Sequence, residues 1–67
     1  MTVAEILARV EVVRALARDD EAAHGEEDRL REKVLEAIAK GDHAEPADAL
    51  ARAVLKTSDI DFARWCA

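Results

Sequence analysis

Apolar residues recur at helical spacing in three stretches of the chain, and each stretch begins or ends at a recognisable capping signal. The first stretch begins at Thr2, which forms a T-x-x-E capping box with Glu5. Its apolar positions share one helix face: Val3, Ile6, Leu7, Val10, Val13 and Ala17. This pattern predicts a first amphipathic helix.

The second stretch follows the Asp19–Asp20 pair, which we expect to end the first helix and to cap the next one. Gly25 leaves two starting points open, one near Glu21 and one at Glu26. Gly41 is the expected C-terminal cap. The core stripe comprises Leu30, Val34, Ala37 and Ile38, with Leu35 at its margin.

The third stretch follows Pro46, which we place at the first helical position because proline needs no N–H partner there. This helix should end near Thr57. The residues assigned to its core face are Ala47, Leu50, Ala51, Val54 and Leu55.

The last ten residues fit two patterns. Ser58 with Asp61 resembles a second capping box that begins a short helix, whereas residues 59–62 alternate like an extended segment. We favour a helical turn because the chain offers no strand partner. The fold class predicted for the single domain, residues 1–67, is therefore all-α: a small three-helix array with a short C-terminal helical turn.

Composition makes self-association an expectation. Hydrophobic residues are 51% of the 67, but 15 of these 34 are alanine, so the core has little volume. A chain this short buries only about 60% of its unfolded surface, and a single cysteine excludes an internal disulfide. We predict a homo-oligomer, with a dimer favoured. The surplus apolar surface is assigned to Val12, Val13 and Leu16.

Charge excludes some functions and leaves one alternative. The net charge is −5, and the ten basic residues are scattered, so we expect no nucleic-acid binding. Six acids fall within residues 19–28, which leaves an acidic nucleic-acid mimic or regulatory protein as the alternative function. No apolar run approaches a membrane span. The lone Cys66 fits a reducing compartment, so we expect a cytoplasmic protein without membrane contact.

One polar cluster could carry chemistry. His24, Glu27 and Asp28 fall on neighbouring helix surface and could hold a metal or act as an acid–base pair. Such a site needs ligands from elsewhere, and His43 is the only plausible distant donor. A solvated helix face is therefore the favoured interpretation, and a small metal-dependent site is the third hypothesis. Without a nucleophile–base set or a glycine-rich phosphate loop, we expect no enzyme and no cofactor.

The two aromatic residues, Phe62 and Trp65, both lie in the last six residues. The tail could fold back and close the end of the bundle, which is the favoured interpretation because the core is thin. It could instead bind a partner through Phe62 and Trp65, with Arg64 as a polar anchor.

The chain also resembles small uncharacterised proteins of actinobacteria and their phages. The matching segments are H-x-x-E-D-x-L at 24–30, V-L-x-A-I-A at 34–39, L-A at 50–51, L-K-T at 55–57 and I-D-F-A-R-W-C-A at 60–67. A phage origin would imply binding to a host protein. Together with the surplus apolar surface, this predicts a non-enzymatic protein-interaction module that acts as a homodimer or by binding another protein.

Overall fold

The computed structural model of the protein describes residues 1–64 and confirms an all-α fold. Three α-helices, α1 (Val3–Ala15), α2 (Asp20–Lys40) and α3 (Ala47–Val54), are followed by a 3₁₀ helix (Leu55–Asp59). Each α-helix packs against the other two, and residues 1–64 contain no strand. With 21 residues, α2 is about 31 Å long, close to the 33 Å longest dimension of the fold. Within this described part, no helix is both long enough and apolar enough to cross a bilayer.

The capping signals confirm most of the predicted boundaries. The Thr2 hydroxyl accepts from the Glu5 amide, and the Glu5 carboxylate accepts from the Thr2 amide. Asp19 caps α2 by accepting from the Ala22 amide at 3.1 Å, so α2 takes the earlier of the two predicted starts and continues through Gly25. Gly41 ends α2 in the left-handed conformation, with φ of 71°.

The predicted position of Pro46 is wrong by one residue. Pro46 is the N-cap of α3 rather than its first helical residue, because its ψ of 146° is extended. Its carbonyl already accepts from the amides of Ala49 and Leu50, so the helix begins at Ala47.

The core lies between the three helices and the tail. It contains Ile6, Val10, Val13, Ala23, Leu30, Val34, Leu50, Ala53, Val54, Ile60 and Phe62. The assignment of Leu55 to the core face of the third helix is wrong, because Leu55 is 55% exposed. Ala53 and Thr57, which were not assigned to that face, are buried. The buried face of this segment therefore follows Leu50, Ala53, Val54 and Thr57, and Leu55 lies outside it.

The C-terminal helical turn is present, but it lies earlier than predicted. The 3₁₀ helix continues directly from α3 and contains Ser58, so the expected Ser58–Asp61 capping box does not form. The extended alternative describes the next residues correctly. Ile60 is extended, with φ of −85° and ψ of 125°, and both Ile60 and Phe62 are buried while Asp61 is exposed. Core contacts rather than a neighbouring strand hold this segment.

Candidate functional site

A buried carboxylate on α2 binds the tail. Glu27 is 3% exposed and accepts two hydrogen bonds from Arg64, at 2.9 Å from Nε to Oε1 and at 3.1 Å from Nη2 to Oε2. Arg31, one helical turn further along α2, places its Nη2 3.7 Å from Oε2. We call Glu27, Arg31 and Arg64 the clasp. It joins the middle of α2 to the last described residue of the chain.

Arg64 also satisfies the end of the 3₁₀ helix. Its guanidinium donates to the carbonyl oxygens of Thr57, Ile60 and Phe62, at 2.8, 3.1 and 3.3 Å. The guanidinium carbon lies 3.8 Å from the centroid of the Phe62 ring, in a cation–π arrangement. A single side chain thus fixes both the tail backbone and the orientation of its buried aromatic residue.

The clasp perturbs the acidity of Glu27. Burial raises the pKa of this carboxyl. Hydrogen bonds from Arg64 and the charges of Arg31 and Arg64 lower the pKa by more than burial raises it, so it lies below its ordinary value. The same hydrogen bonds raise the pKa of Arg64. Both groups are therefore ionised at neutral pH, and the contact is an ion pair.

The H-x-x-E-D segment does not converge on one point. His24 Nε2 lies 3.4 Å from Asp28 Oδ1, but Glu27 forms ion pairs with Arg64 and Arg31 instead. His43 makes a 2.7 Å contact through Nδ1 with the carbonyl of Glu45, in the loop before α3. Among residues 1–64, no three His, Cys, Asp or Glu side chains are grouped to hold a metal ion.

Most acids of the 19–28 segment have partners inside the chain. Asp19 caps α2, and Asp20 accepts from the Ala63 amide at 3.2 Å. Glu26 pairs with Arg9 and Arg29, which lowers the pKa of Glu26 chiefly through the hydrogen bond from Arg29. These contacts, with the burial of Glu27, interrupt the run of negative charge that a nucleic-acid mimic would present.

The predicted interaction residues are dispersed. Val13 is 1% exposed and belongs to the core, which corrects its assignment to a surface. Leu16 is half-buried against the core, and only Val12, at 39%, is exposed.

In the tail, Phe62 is 8% exposed and Arg64 is bound to Glu27, so the described part of the tail closes the bundle. Trp65, the third tail residue assigned to an interface, lies outside the described residues, as does Cys66.

Within residues 1–64, the two most exposed large apolar side chains lie on a face to which the sequence analysis assigned no interaction. Leu35 on α2 is 67% exposed and Leu55 is 55% exposed. Between them is a groove of about 240 Å³, which we call the α2–α3 groove. Its lining comprises Arg31, Val34, Leu35, Ile38, Ala51, Val54 and Leu55. Apart from Arg31, every side chain in this lining is aliphatic.

Helical spacing could have identified part of this site. The buried positions of α2 are Ala23, Glu27, Leu30, Val34 and Ala37, a regular alternation of four and three residues. Glu27 occupies a core position in this series, so a buried carboxylate with a cationic partner was predictable. Leu35 lies one residue outside the series and was predictably exposed. That Leu55 approaches Leu35 depends on how α2 and α3 pack, which no local pattern specifies.

Comparison with known proteins assigns no family. The chain matches no protein-family model, no curated protein and no solved structure.

Proposed function

We propose that this protein is a non-enzymatic protein-interaction module, which works by self-association as a homodimer or by binding another protein through the α2–α3 groove. The observation that carries the proposal is the pairing of two exposed leucines, Leu35 and Leu55, across an aliphatic groove. A compartment without membrane contact, the cytoplasm, remains part of the proposal.

The two exposed leucines would stabilise an association that covers them. Full burial of a leucine side chain contributes about 1.5–3 kcal/mol. With 67% and 55% of Leu35 and Leu55 still exposed, covering both would contribute about 2–4 kcal/mol to association. Single exposed apolar residues need no explanation, but two that line one groove form a continuous apolar patch of the kind that marks interaction sites.

The test compares a groove variant with a matched variant on another helix. The groove variant is Leu35→Glu/Leu55→Glu, and the control is Val12→Glu, an exposed apolar residue of α1 that does not line the groove. Both should retain helical circular dichroism because none of the three positions belongs to the core. The measurements are mass by light scattering over a concentration series and capture of proteins from a bacterial lysate.

We expect the wild-type chain and Val12→Glu to associate with themselves or to retain a partner, and the groove variant to lose that association. Equal behaviour of all three folded chains in both assays would refute the proposal. Loss of association in Val12→Glu alone would move the interface to α1.

A further inference from the structure

We infer that the α2–α3 groove binds a short amphipathic helix of another protein, and that this helix carries a carboxylate for Arg31. The inference rests on the proposed function and specifies the kind of partner. It is supported by the size of the groove, by the spacing of its apolar residues and by the charge at one of its ends.

The size of the groove favours a short helix over a second copy of the domain. From Arg31 to Ile38 the groove follows α2 for about 10 Å, and from Ala51 to Leu55 it follows α3 for about 6 Å. A standard interface buries about 800 Å² on each partner, which is close to a fifth of the 4340 Å² surface of this chain. A groove about 10 Å long between helices whose axes lie about 10 Å apart covers roughly 100 Å², several times less than such an interface. A partner helix of two or three turns would fill it.

The lining determines the apolar side of that helix. Leu35 and Leu55 form the two walls, and Ala51 leaves room between them for an entering side chain. A groove two helical turns long accepts apolar side chains three or four residues apart, the spacing by which amphipathic helices bind grooves. We therefore expect two leucine-sized anchors, one turn apart.

Arg31 provides a positive charge that the acids of residues 1–64 do not fully compensate. Glu27 is the acid with which Arg31 pairs, but both of its oxygens already accept hydrogen bonds from Arg64, and Arg31 lies beyond hydrogen-bond distance from Glu27 at 3.7 Å. The hydrogen bonds of Arg31 go to neutral hydroxyls, those of Thr57 at 3.2 Å and Ser58 at 2.9 Å.

The guanidinium of Arg31 is also accessible from the groove. Its side chain is 40% exposed and lines the groove. A carboxylate on the partner would neutralise the guanidinium. Because Arg31 lies at one end of the groove, this ion pair would also select the direction in which the helix binds.

Synthetic helical peptides test the inference directly. The parent peptide has two leucines four residues apart on an alanine-rich helix, with one glutamate a helical turn beyond the leucine nearest Arg31. The matched peptides have glutamine or lysine in place of that glutamate. Binding is measured by titration against the full chain, and the position by chemical-shift changes of the Leu35 and Leu55 methyl groups.

We expect the glutamate peptide to bind about two- to five-fold more tightly than the glutamine peptide, and the lysine peptide to bind least. This order should be lost in Arg31→Gln, retained in Arg31→Lys and reduced at high salt. Circular dichroism of both variants would show whether the fold is kept. Because Arg31→Lys preserves the charge, it distinguishes a charge effect from a change of packing.

Two results would overturn the inference. Equal affinity of the three peptides for the wild-type chain would show that Arg31 does not select a carboxylate. Failure of every peptide to shift the two leucines would exclude the short helix. Suppose that no peptide binds but the wild-type chain self-associates and the Leu35→Glu/Leu55→Glu variant does not. The groove would then bind a second copy of the chain, and the proposed function would stand while this inference would fail.

Discussion

Replacing Glu27 by glutamine tests whether the buried carboxylate stabilises the fold through its charge. The substitution preserves size and one acceptor oxygen, but it turns an amide N–H₂ towards the Arg64 guanidinium, where two donors then face each other. One of the two hydrogen bonds from Arg64, at 2.9 and 3.1 Å, is lost.

The expected destabilisation is about 1–3 kcal/mol. A hydrogen bond to a charged group contributes about 1.5–3 kcal/mol, and the value is discounted because the Arg64 side chain is 35% exposed to solvent. A 67-residue domain has a total stability of about 3–10 kcal/mol. The substitution should therefore lower the melting temperature by about 8–16 °C for a loss of 2 kcal/mol.

Thermal and urea unfolding, followed by circular dichroism, would measure this change. Glu26→Gln is the matched control, because Glu26 is the preceding residue and makes ion pairs on the surface. Because its partners Arg9 and Arg29 are 46% and 61% exposed, solvent weakens these pairs, and Glu26→Gln should lower the midpoint by less than Glu27→Gln does. A double-mutant cycle with Arg64→Met would isolate the coupling between the two partners, since Arg64→Met also removes the bonds to three carbonyls.

The pH dependence gives a second test of the same contact. The pKa of Glu27 is lower in the folded chain than its unfolded value of about 4.3. Its stabilising contribution is therefore complete above that unfolded pKa and is lost as the pH falls through the folded pKa. The stability difference between wild type and Glu27→Gln should be constant near neutral pH and should decrease below about pH 4. A Glu27→Gln midpoint equal to that of Glu26→Gln at pH 7 would refute the reasoning.

The remaining predictions concern Gly25, inside α2, and the two caps of that helix. Gly25→Ala should stabilise the protein by about 0.5–1 kcal/mol, because the added Cβ would meet only the flexible end of Arg29, at 3.8 Å. Gly41→Ala should destabilise it by about 1 kcal/mol, because φ is 71° although the position is sterically open. Asp19→Ala removes the bond to the Ala22 amide and should cost about 1 kcal/mol. Urea midpoints would measure all three, and a stabilising Gly41→Ala would contradict the assigned cap.

Local signals were sufficient for the bounds of α2 and the start of α1, but not for the end of the third helix or for the tail. Thr2, Asp19 and Gly41 act on the backbone within a few residues of themselves, so their roles can be inferred from neighbouring residues. The segment from Leu55 to Phe62 depends instead on contacts made far along the chain. The 3₁₀ turn buries Thr57, and the extended residues bury Ile60 and Phe62 against core side chains of the three helices. The spacing of apolar residues along the chain does not predict these contacts, because they join residues far apart in the sequence.

In the candidate site, too, features set by neighbouring residues were predictable and features set by helix packing were not. Surplus apolar character was assigned to Val12, Val13 and Leu16, but Val13 is buried, as its place on the apolar face of the first helix predicts, and Leu16 packs against the core. The groove depends on the relative placement of α2 and α3. Of the groove residues, Leu35 is the one whose exposure could have been inferred from spacing, because it lies one residue outside the buried series of α2.

The clasp also bears on the order of events during folding. Glu27 and Arg64 are 37 residues apart in the chain. Bringing them together reduces the conformational entropy of the intervening chain before the contact can stabilise the fold. The α1–α2 pair needs a much shorter closure, so we expect it to form first and the tail to dock after the rate-limiting step. Disruption at Arg64 would then leave the refolding rate almost unchanged and accelerate unfolding. The clasp would thus determine how long the native state persists rather than how quickly it is reached.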